Sequence, residues 1–572
     1  MRALSSFIPM VGWLPGYRRQ DLGGDLQAGL TVGVMLVPQG MAYSMLAGLP
    51  PIYGLYAAIF PALLYAVFGS SRHLSVGPVA IVGLLLATGL SGIAEPGSPH
   101  FIELAIATAF LAGLVQILLG FFRLGFMVNF LSHPVLSGFT SAAAFIIMLS
   151  QVKYLLGIRL PQSNQVQVIL PSLFGQLDQI HWLTFGIGAA GIVLILVLRR
   201  LRSTLPTGLI AMVLGISAVA LFRLDHLGVA VIGEIPKGLP SFHNPFLSLA
   251  DMQRILPLAA TICIISFIES LAIARALEAK HKTYKVLPNQ ELIALGITKL
   301  VGAFFQAFPT TGSFSRSAVN EVSGARTGIS SIVAALVVVL TLLFLTPLFY
   351  FLPQALLASV TIAAVFSLID FKEAFFLWRN DRRDFYSLLA TFVCTLTMGV
   401  QIGILVGVIL SLALMLYSNS RPHIAVLGRL PNSSHYRNVT RFDEAEQRGD
   451  LLVLRFDAQL YFGNAQFFRD SIEQLIQVQG SGLKALVLDA SSIGEVDSSG
   501  ILALKSLSET LASKGIALYL AGVIGPVRDK LQSFGFLQHI GEGRLFFSIQ
   551  EAVEAFDDIR LVARGGQRGG KK

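Results

Sequence analysis

Arg316 closes the run Pro309-Thr310-Thr311-Gly312-Ser313-Phe314-Ser315-Arg316, in which proline and glycine hold the backbone extended before a short apolar stretch. A run of the same character, Ser71-Arg72-His73-Leu74-Ser75-Val76-Gly77-Pro78, cannot become helical before Val79. Each reads as an extended start that turns into a helix. Helix N-termini present free N–H groups and a positive dipole end, so two of them facing one point would attract an anion. Arg316 would add one full positive charge, unless it bridges to Glu321 or a backbone carbonyl. Plain Gly/Pro kinks in packed helices would leave the same residue pattern. A second chemical candidate is Glu269, set in Ile264-Ile265-Ser266-Phe267-Ile268-Glu269-Ser270-Leu271. Burial penalises the charged form of a carboxyl, which suits a group that takes up and releases a proton. A sodium ion would need several oxygen ligands, and Ile273, one turn on, offers none, so H+ is favoured. No P-loop, nucleophile triad or metal-ligand cluster stands out, so the expectation is no enzyme, no metal and no cofactor.

The elements that must position these residues are membrane spans. Of the 572 residues 54% are hydrophobic and only 13% charged, and the mean hydropathy of +0.70 does not describe a soluble surface. Sixteen of the 33 acidic residues fall in residues 1–442 and 17 in residues 443–572, so an apolar body precedes a soluble domain. Residues 1–24 show no cleavable leader and read as a retained cytoplasmic segment. Apolar stretches long enough to span are expected at 25–48, 52–69, 74–92, 103–122, 133–156, 182–199 and 206–223. Seven more follow at 254–277, 290–308, 313–325, 327–349, 353–370, 384–399 and 401–418. With a cytoplasmic N-terminus, Arg72, Arg123, Arg199 with Arg200 and Arg202, Lys280 with Lys282 and Lys285, and Arg379 with Arg382 and Arg383 all fall inside. Two blocks of seven spans enter the membrane in opposite directions, the arithmetic of an inverted repeat. The net charge of +9 is accounted for largely by this topology, so no nucleic-acid partner is expected. Cys263 and Cys394 lie in apolar stretches and form no disulfide framework.

Pro50-Pro51-Ile52-Tyr53-Gly54-Leu55-Tyr56, Phe68-Gly69-Ser70-Ser71-Arg72-His73-Leu74-Ser75-Val76-Gly77-Pro78 and Thr311-Gly312-Ser313-Phe314-Ser315-Arg316-Ser317-Ala318-Val319-Asn320 resemble the signature regions of the sulfate permease (SulP) family of anion transporters. The resemblance covers essentially the whole chain. It implies a polytopic α-helical membrane protein of fourteen segments in a seven-plus-seven inverted repeat, divided into core and gate domains, dimeric, and working by an elevator-like motion. It also implies that the anion site falls on Gln39 to Tyr43, on Val79 and Ala80, and on Ser315 and Arg316. Gln39 follows Pro38 and would alternatively satisfy carbonyls that the proline frees; Tyr43 would alternatively be helix packing. The family's acidic position associated with cation coupling corresponds to Glu269. Lys299 departs from the amide more usual near that point of the ninth span. It would either pair with Glu269, holding the carboxylate ionised, or snorkel toward an interface.

From Asp450 the pattern alternates short strands, 451–456, 485–489 and 517–520, with helices at 464–478, 498–513, 525–535 and 550–559, an α/β domain. It resembles the STAS domain of sulfate transporters and anti-sigma-factor antagonists. In the antagonists the serine corresponding to Ser499, in Val496-Asp497-Ser498-Ser499-Gly500, is phosphorylated; here the loop would alternatively serve only to cap a helix opened by Asp497. The expected boundaries are a transmembrane domain at 25–419, a linker at 420–449, the STAS domain at 450–560 and a disordered basic tail at 561–572. The favoured reading is a secondary active transporter of sulfate in a cell (inner) membrane, H+-coupled, with both termini cytoplasmic and a cytoplasmic protein partner for the STAS domain. The alternatives are a bicarbonate, chloride or dicarboxylate transporter, an exchanger, an uncoupled channel, or a STAS-coupled receptor.

Overall fold

The structure, a computed structural model, describes residues 7–126, 132–158, 166–201, 207–366 and 369–566. Arg202, position 206 and the tail beyond Gly566 lie outside the described residues. The chain divides into two compact units, Met1–Ser411 and Leu412–Lys572.

A short helix α1 (Pro9–Trp13) precedes α2 (Arg19–Leu46), α3 (Pro51–Phe68), strand β1 (Val76–Gly77), α4 (Ala80–Leu90), α5 (Pro99–Phe121), α6 (His133–Leu156), α7 (Val166–Phe174), α8 (Trp182–Leu201) and α9 (Thr207–Phe222). The second half runs α10 (Leu249–His281), α11 (Pro288–Ala303), β2 (Thr311–Gly312), α12 (Phe314–Val322), α13 (Ile329–Leu340), α14 (Gln354–Val365), α15 (Phe371–Asn380), α16 (Arg382–Met398) and α17 (Val400–Ser420). A helix overlaps each of the fourteen expected spans. Among the described residues six helical stretches are long and apolar enough to cross a membrane, including α13 continued through a π-turn and a 3-10 turn to Phe349. The half-helices α4 and α12 are short because an extended run occupies the first part of each segment. Two helices between the spans were not expected. α7 has 9 residues and α15 has 10, too few to span, and α15 exposes Phe371, Phe375 and Phe376 as an interfacial helix would.

Packing repeats when the halves are exchanged. α5 lies on α10 and α11, and α13 on α2 and α3; α4 meets α10, and α12 meets α2. In a second group α6 packs on α16, and α14 on α8. The first group is the core and the second, with α9 and α17, the gate. Where core helices cross, glycine lets the backbones touch. A Cβ on Gly113 of α5 would stand 2.7 Å from the carbonyl oxygen of Gly296 on α11, and one on Gly296 would stand 2.8 Å from that of Gly113.

The second unit is a six-stranded sheet in the order β4-β3-β5-β6-β7-β8. Strands β3 (Ile424–Arg429) and β4 (Tyr436–Asn438) lie in the stretch read from sequence as a linker. β3 is antiparallel to β4 and to β5 (Leu451–Phe456), whereas β5, β6 (Ala485–Asp489), β7 (Ala517–Ala521) and β8 (Leu545–Phe546) are parallel. Alternation sends Leu452, Leu454, Leu486 and Leu488 to one face, under α18 (Ala465–Gln479), α19 (Ser498–Ser513), α20 (Gly525–Ser533) and α21 (Phe536–Ile540). Val453, Val487 and Tyr519 point to the other face, under Ala552, Val553 and Phe556 of α22 (Ile549–Gly566). α22 thus continues into the stretch read as a disordered tail.

Candidate anion-binding site

The two interrupted segments meet. β1 and β2 form an antiparallel ribbon with Val76 opposite Gly312 and Gly77 opposite Thr311. Each strand feeds directly into its half-helix, so α4 and α12 leave the ribbon in opposite directions with their N-termini on either side of it. Kinked continuous helices, the simpler reading of the same Gly and Pro residues, are not what forms.

Side chains fix the ribbon. Ser75 N–H donates to Ser317 Oγ (2.9 Å), and Ser313 N–H to the Ser75 carbonyl (3.0 Å). Gly312 N–H donates to Ser270 Oγ (2.9 Å), while Thr311 Oγ1 donates to the Ser266 carbonyl (2.8 Å). The loop before β1 is held by Glu291, a buried carboxylate accepting from Tyr65 Oη (2.8 Å), Ser70 N (2.8 Å) and Ser70 Oγ (2.6 Å).

At α4 the extended Val79 is the N-cap, and the first backbone bond of the helix is Gly83 N–H to the Val79 carbonyl. The N–H groups of Ala80, Ile81 and Val82 precede it and so lack an intrahelical acceptor. At α12 Ser313 caps the helix, its hydroxyl accepting from Arg316 N, and the N–H groups of Phe314 and Ser315 are the corresponding orphans. Ser315 Oγ lies 3.4 Å from Ser313 Oγ.

Arg316 is fully buried. Its Nη1 donates to the Pro78 carbonyl (2.9 Å) and to Gln39 Oε1 (3.3 Å), tying α12 to the N-terminus of α4 and to mid-α2. Nε and Nη2 are buried and have no hydrogen-bond partner among the described residues. The guanidinium lies over Gly77, where a Cβ would stand 3.3 Å from Nη2. Tyr43 and Glu269 are close enough to interact with its charge. The bridge to Glu321 does not form; Glu321 takes Lys280 (2.8 Å) and His281 (3.3 Å) instead.

Gln39, Tyr43, Val79, Ala80, Ser315 and Arg316 are therefore brought to one region. Glu269 is buried beside it, its Oε2 without a hydrogen-bond partner. Lys299 does neither thing expected of it. It is 1% exposed, so it does not snorkel, and its Nζ donates to Gln116 Oε1 (2.9 Å) rather than to Glu269. Gln116 in turn donates to the Cys263 carbonyl and to Ser266 Oγ, each at 3.1 Å. This thread from α11 through α5 to α10 ends beside the carbonyl that receives Thr311. Sequence reading missed Gln116, Ser266, Ser270 and Thr311, because polar residues scattered over three segments far apart in sequence carry no common spacing.

Beside Gln39, a cavity of about 20 Å³ separates α2 from α8, α9 and α14, room for about one water. A cavity of about 360 Å³ opens at the Leu46 end of α2, bordered by Leu84 of α4 and Lys153 of α6. Core and gate thus leave little space beside Gln39 and part toward the Leu46 end of α2. In the second unit Asp497 caps α19, accepting from Gly500 N (2.8 Å); Ser499 sits half-buried in the first turn.

Residues 22–391 match the sulfate permease family and residues 444–552 the STAS domain. The chain belongs to the sulfate permease family. Relatives within it include sulfate transporter 4.1, chloroplastic, of Arabidopsis thaliana, 39% identical over 571 residues that cover 96% of this chain and 82% of that protein. Sulfate transporter 1.1 of the same plant is 35% identical over 572 residues, 96% of this chain and 88% of that protein. The fold is similar to that of the murine Slc26a9 anion transporter in an inward-facing state, with a TM-score of 0.88 at 25% identity over 96% of this chain and 94% of that one. The transmembrane domain of the cyanobacterial bicarbonate transporter BicA gives 0.59 at 24% identity, over 69% of this chain and 98% of that domain. As a sulfate permease family member the chain is a multi-pass membrane protein of a transporter family, with a C-terminal STAS domain.

Proposed function

We propose that the protein is a secondary active sulfate transporter in which the anion binds between the N-termini of α4 and α12. The observation that carries this is Arg316: a buried guanidinium keeps Nε and Nη2 free where two sets of orphan backbone N–H groups converge. Leaving such donors unmet is costly, and an oxyanion offers the acceptors. Gln39 and the Pro78 carbonyl orient the guanidinium, Ser315 supplies a hydroxyl, Tyr43 forms a wall, and Val79 and Ala80 open the α4 side.

The space beside Gln39 is too small for a tetrahedral oxyanion, so binding requires the core to move against the gate. That motion, carrying the site across the membrane, is the elevator-like step, and the protein works as a homodimer with cytoplasmic termini. Glu269 carries the coupling proton. Its partnerless Oε2 can hold one, and Lys299, engaged by Gln116, leaves it free to do so. The test is radiolabelled sulfate uptake into proteoliposomes with and without an imposed proton gradient. Accumulation above equilibrium supports coupled transport, equilibration alone replaces it with an uncoupled pathway, and absence of flux refutes transport of sulfate.

A further inference from the structure

The C-terminal end of α10 carries a groove that the transport reading does not use. Arg275, Glu278 and Lys282 share one face of the helix, at i, i+3 and i+7. Lys282 ends the helix in the left-handed conformation (φ +55°), its N–H bonded to the Glu278 carbonyl at 2.7 Å. That turn folds the segment back so that Tyr284 and Lys285 line the same open groove, about 620 Å³ in volume. Arg275, Lys282 and Lys285 are all exposed, and none forms an ion pair among the described residues. Glu278 is the single carboxylate among the lining residues, so the groove keeps two net positive charges. The negative end of the α10 dipole explains a cation at Lys280, His281 or Lys282. It does not explain Arg275, nearly two turns inside the helix, or Lys285 beyond it.

We infer that this groove is a binding site for a phosphate group, carried by the headgroup of an anionic phospholipid or free in solution. Arg275 offers a planar pair of N–H donors suited to two phosphate oxygens, and the two lysines add point charges at the helix end. A basic pocket at the edge of a transmembrane helix is suited to lipid phosphate. Burial pushes the Tyr284 phenol up to about 12, so it stays a neutral hydroxyl. It bonds to Ser71 Oγ (3.3 Å) and His73 Nδ1 (3.1 Å), with Arg72 stacked 5.9 Å from the ring centroid. An occupant resting on Tyr284 is therefore one residue contact away from the run that leads into β1.

Two arms separate the sources. Native mass spectrometry of the full-length protein, given phosphatidylglycerol and phosphatidylcholine in equal amounts, reads the lipid; a thermal-shift titration with inorganic phosphate in phosphatidylcholine nanodiscs reads the free anion. Each is repeated on Arg275→Gln and on Lys282→Gln/Lys285→Gln, whose exposed side chains make no bond that folding depends on. Preferential retention of phosphatidylglycerol that falls roughly tenfold or more in both variants supports a headgroup site. A phosphate-dependent shift lost in both variants supports a free phosphate. Lipid preference and phosphate response that are the same in wild type and variants overturn the proposal.

Discussion

Replacing Arg316 tests the anion site most directly. Arg316→Ala removes two buried donors, Nε and Nη2, that meet no acceptor among the described residues, together with the unit charge. Hydrogen bonds to charged groups contribute about 1.5–3 kcal/mol each, so losing two donors to sulfate would cost about 3–6 kcal/mol. The freed space admits water, which recovers part of this, and the N–H groups of Ala80, Ile81, Phe314 and Ser315 remain. A net loss of about 3 kcal/mol is expected, or roughly a hundredfold in Kd. Arg316→Lys keeps the charge but not the fork that reaches the Pro78 carbonyl and Gln39 together, so it should fall between wild type and alanine. The assay is sulfate binding to purified protein, with a size-exclusion profile for each variant. Wild-type affinity in monodisperse Arg316→Ala protein would refute the placement of the anion at the guanidinium.

A dianion entering a cell 100 mV negative inside works against about 4.6 kcal/mol, so concentrative uptake needs a coupled charge; Glu269→Gln vesicles should bind sulfate but fail to concentrate it under a proton gradient, and continued accumulation would make the carboxyl structural. Lys299→Met should leave proton-driven accumulation intact while stranding Gln116 Oε1, a loss of about 1–3 kcal/mol that adding Gln116→Leu recovers in thermal melts. In the second unit Arg448 bridges Asp450 and Asp557, with four contacts of 2.8–3.1 Å, and Arg448→Ala should lower the stability of the expressed domain, residues 412–566, by about 1–2 kcal/mol in urea unfolding. Burial pulls the Asp457 carboxyl up, but hydrogen bonds from Arg455 and His423 outweigh it and hold the group below the usual range. Its stabilisation is then complete above the unfolded value of about 3.9 and lost as pH falls through the folded one; Asp457→Asn domain should show a shallower drop in Tm between about pH 5 and about pH 3 than wild type.

Local chemistry determined much of this protein from sequence alone. Apolar length placed a helix in every expected span, since a bilayer imposes one constraint that each segment meets by itself. Val76-Gly77-Pro78 and Pro309 to Gly312 announced the two breaks, because Gly and Pro act on their own backbone. Short, continuous β-rich apolar runs marked β5, β6 and β7, which are buried on both faces. The strands β3 and β4 escaped notice because they lie between an apolar helix and a polar stretch, with β4 at the sheet edge, and β3 pairs with β5 only after the chain has folded back. Tertiary structure alone decided the partners of the charged groups. The sequence offered Arg316 an anion, Glu321 or a backbone carbonyl, and Lys299 two fates, neither of which it meets. The partners they take depend on the ribbon joining residues 76–77 to 311–312 and on the Gly113–Gly296 crossing that brings Gln116 within reach of Lys299. A charge buried in a membrane takes whatever acceptor the packing presents to it, and that packing is set by contacts between residues more than a hundred positions apart.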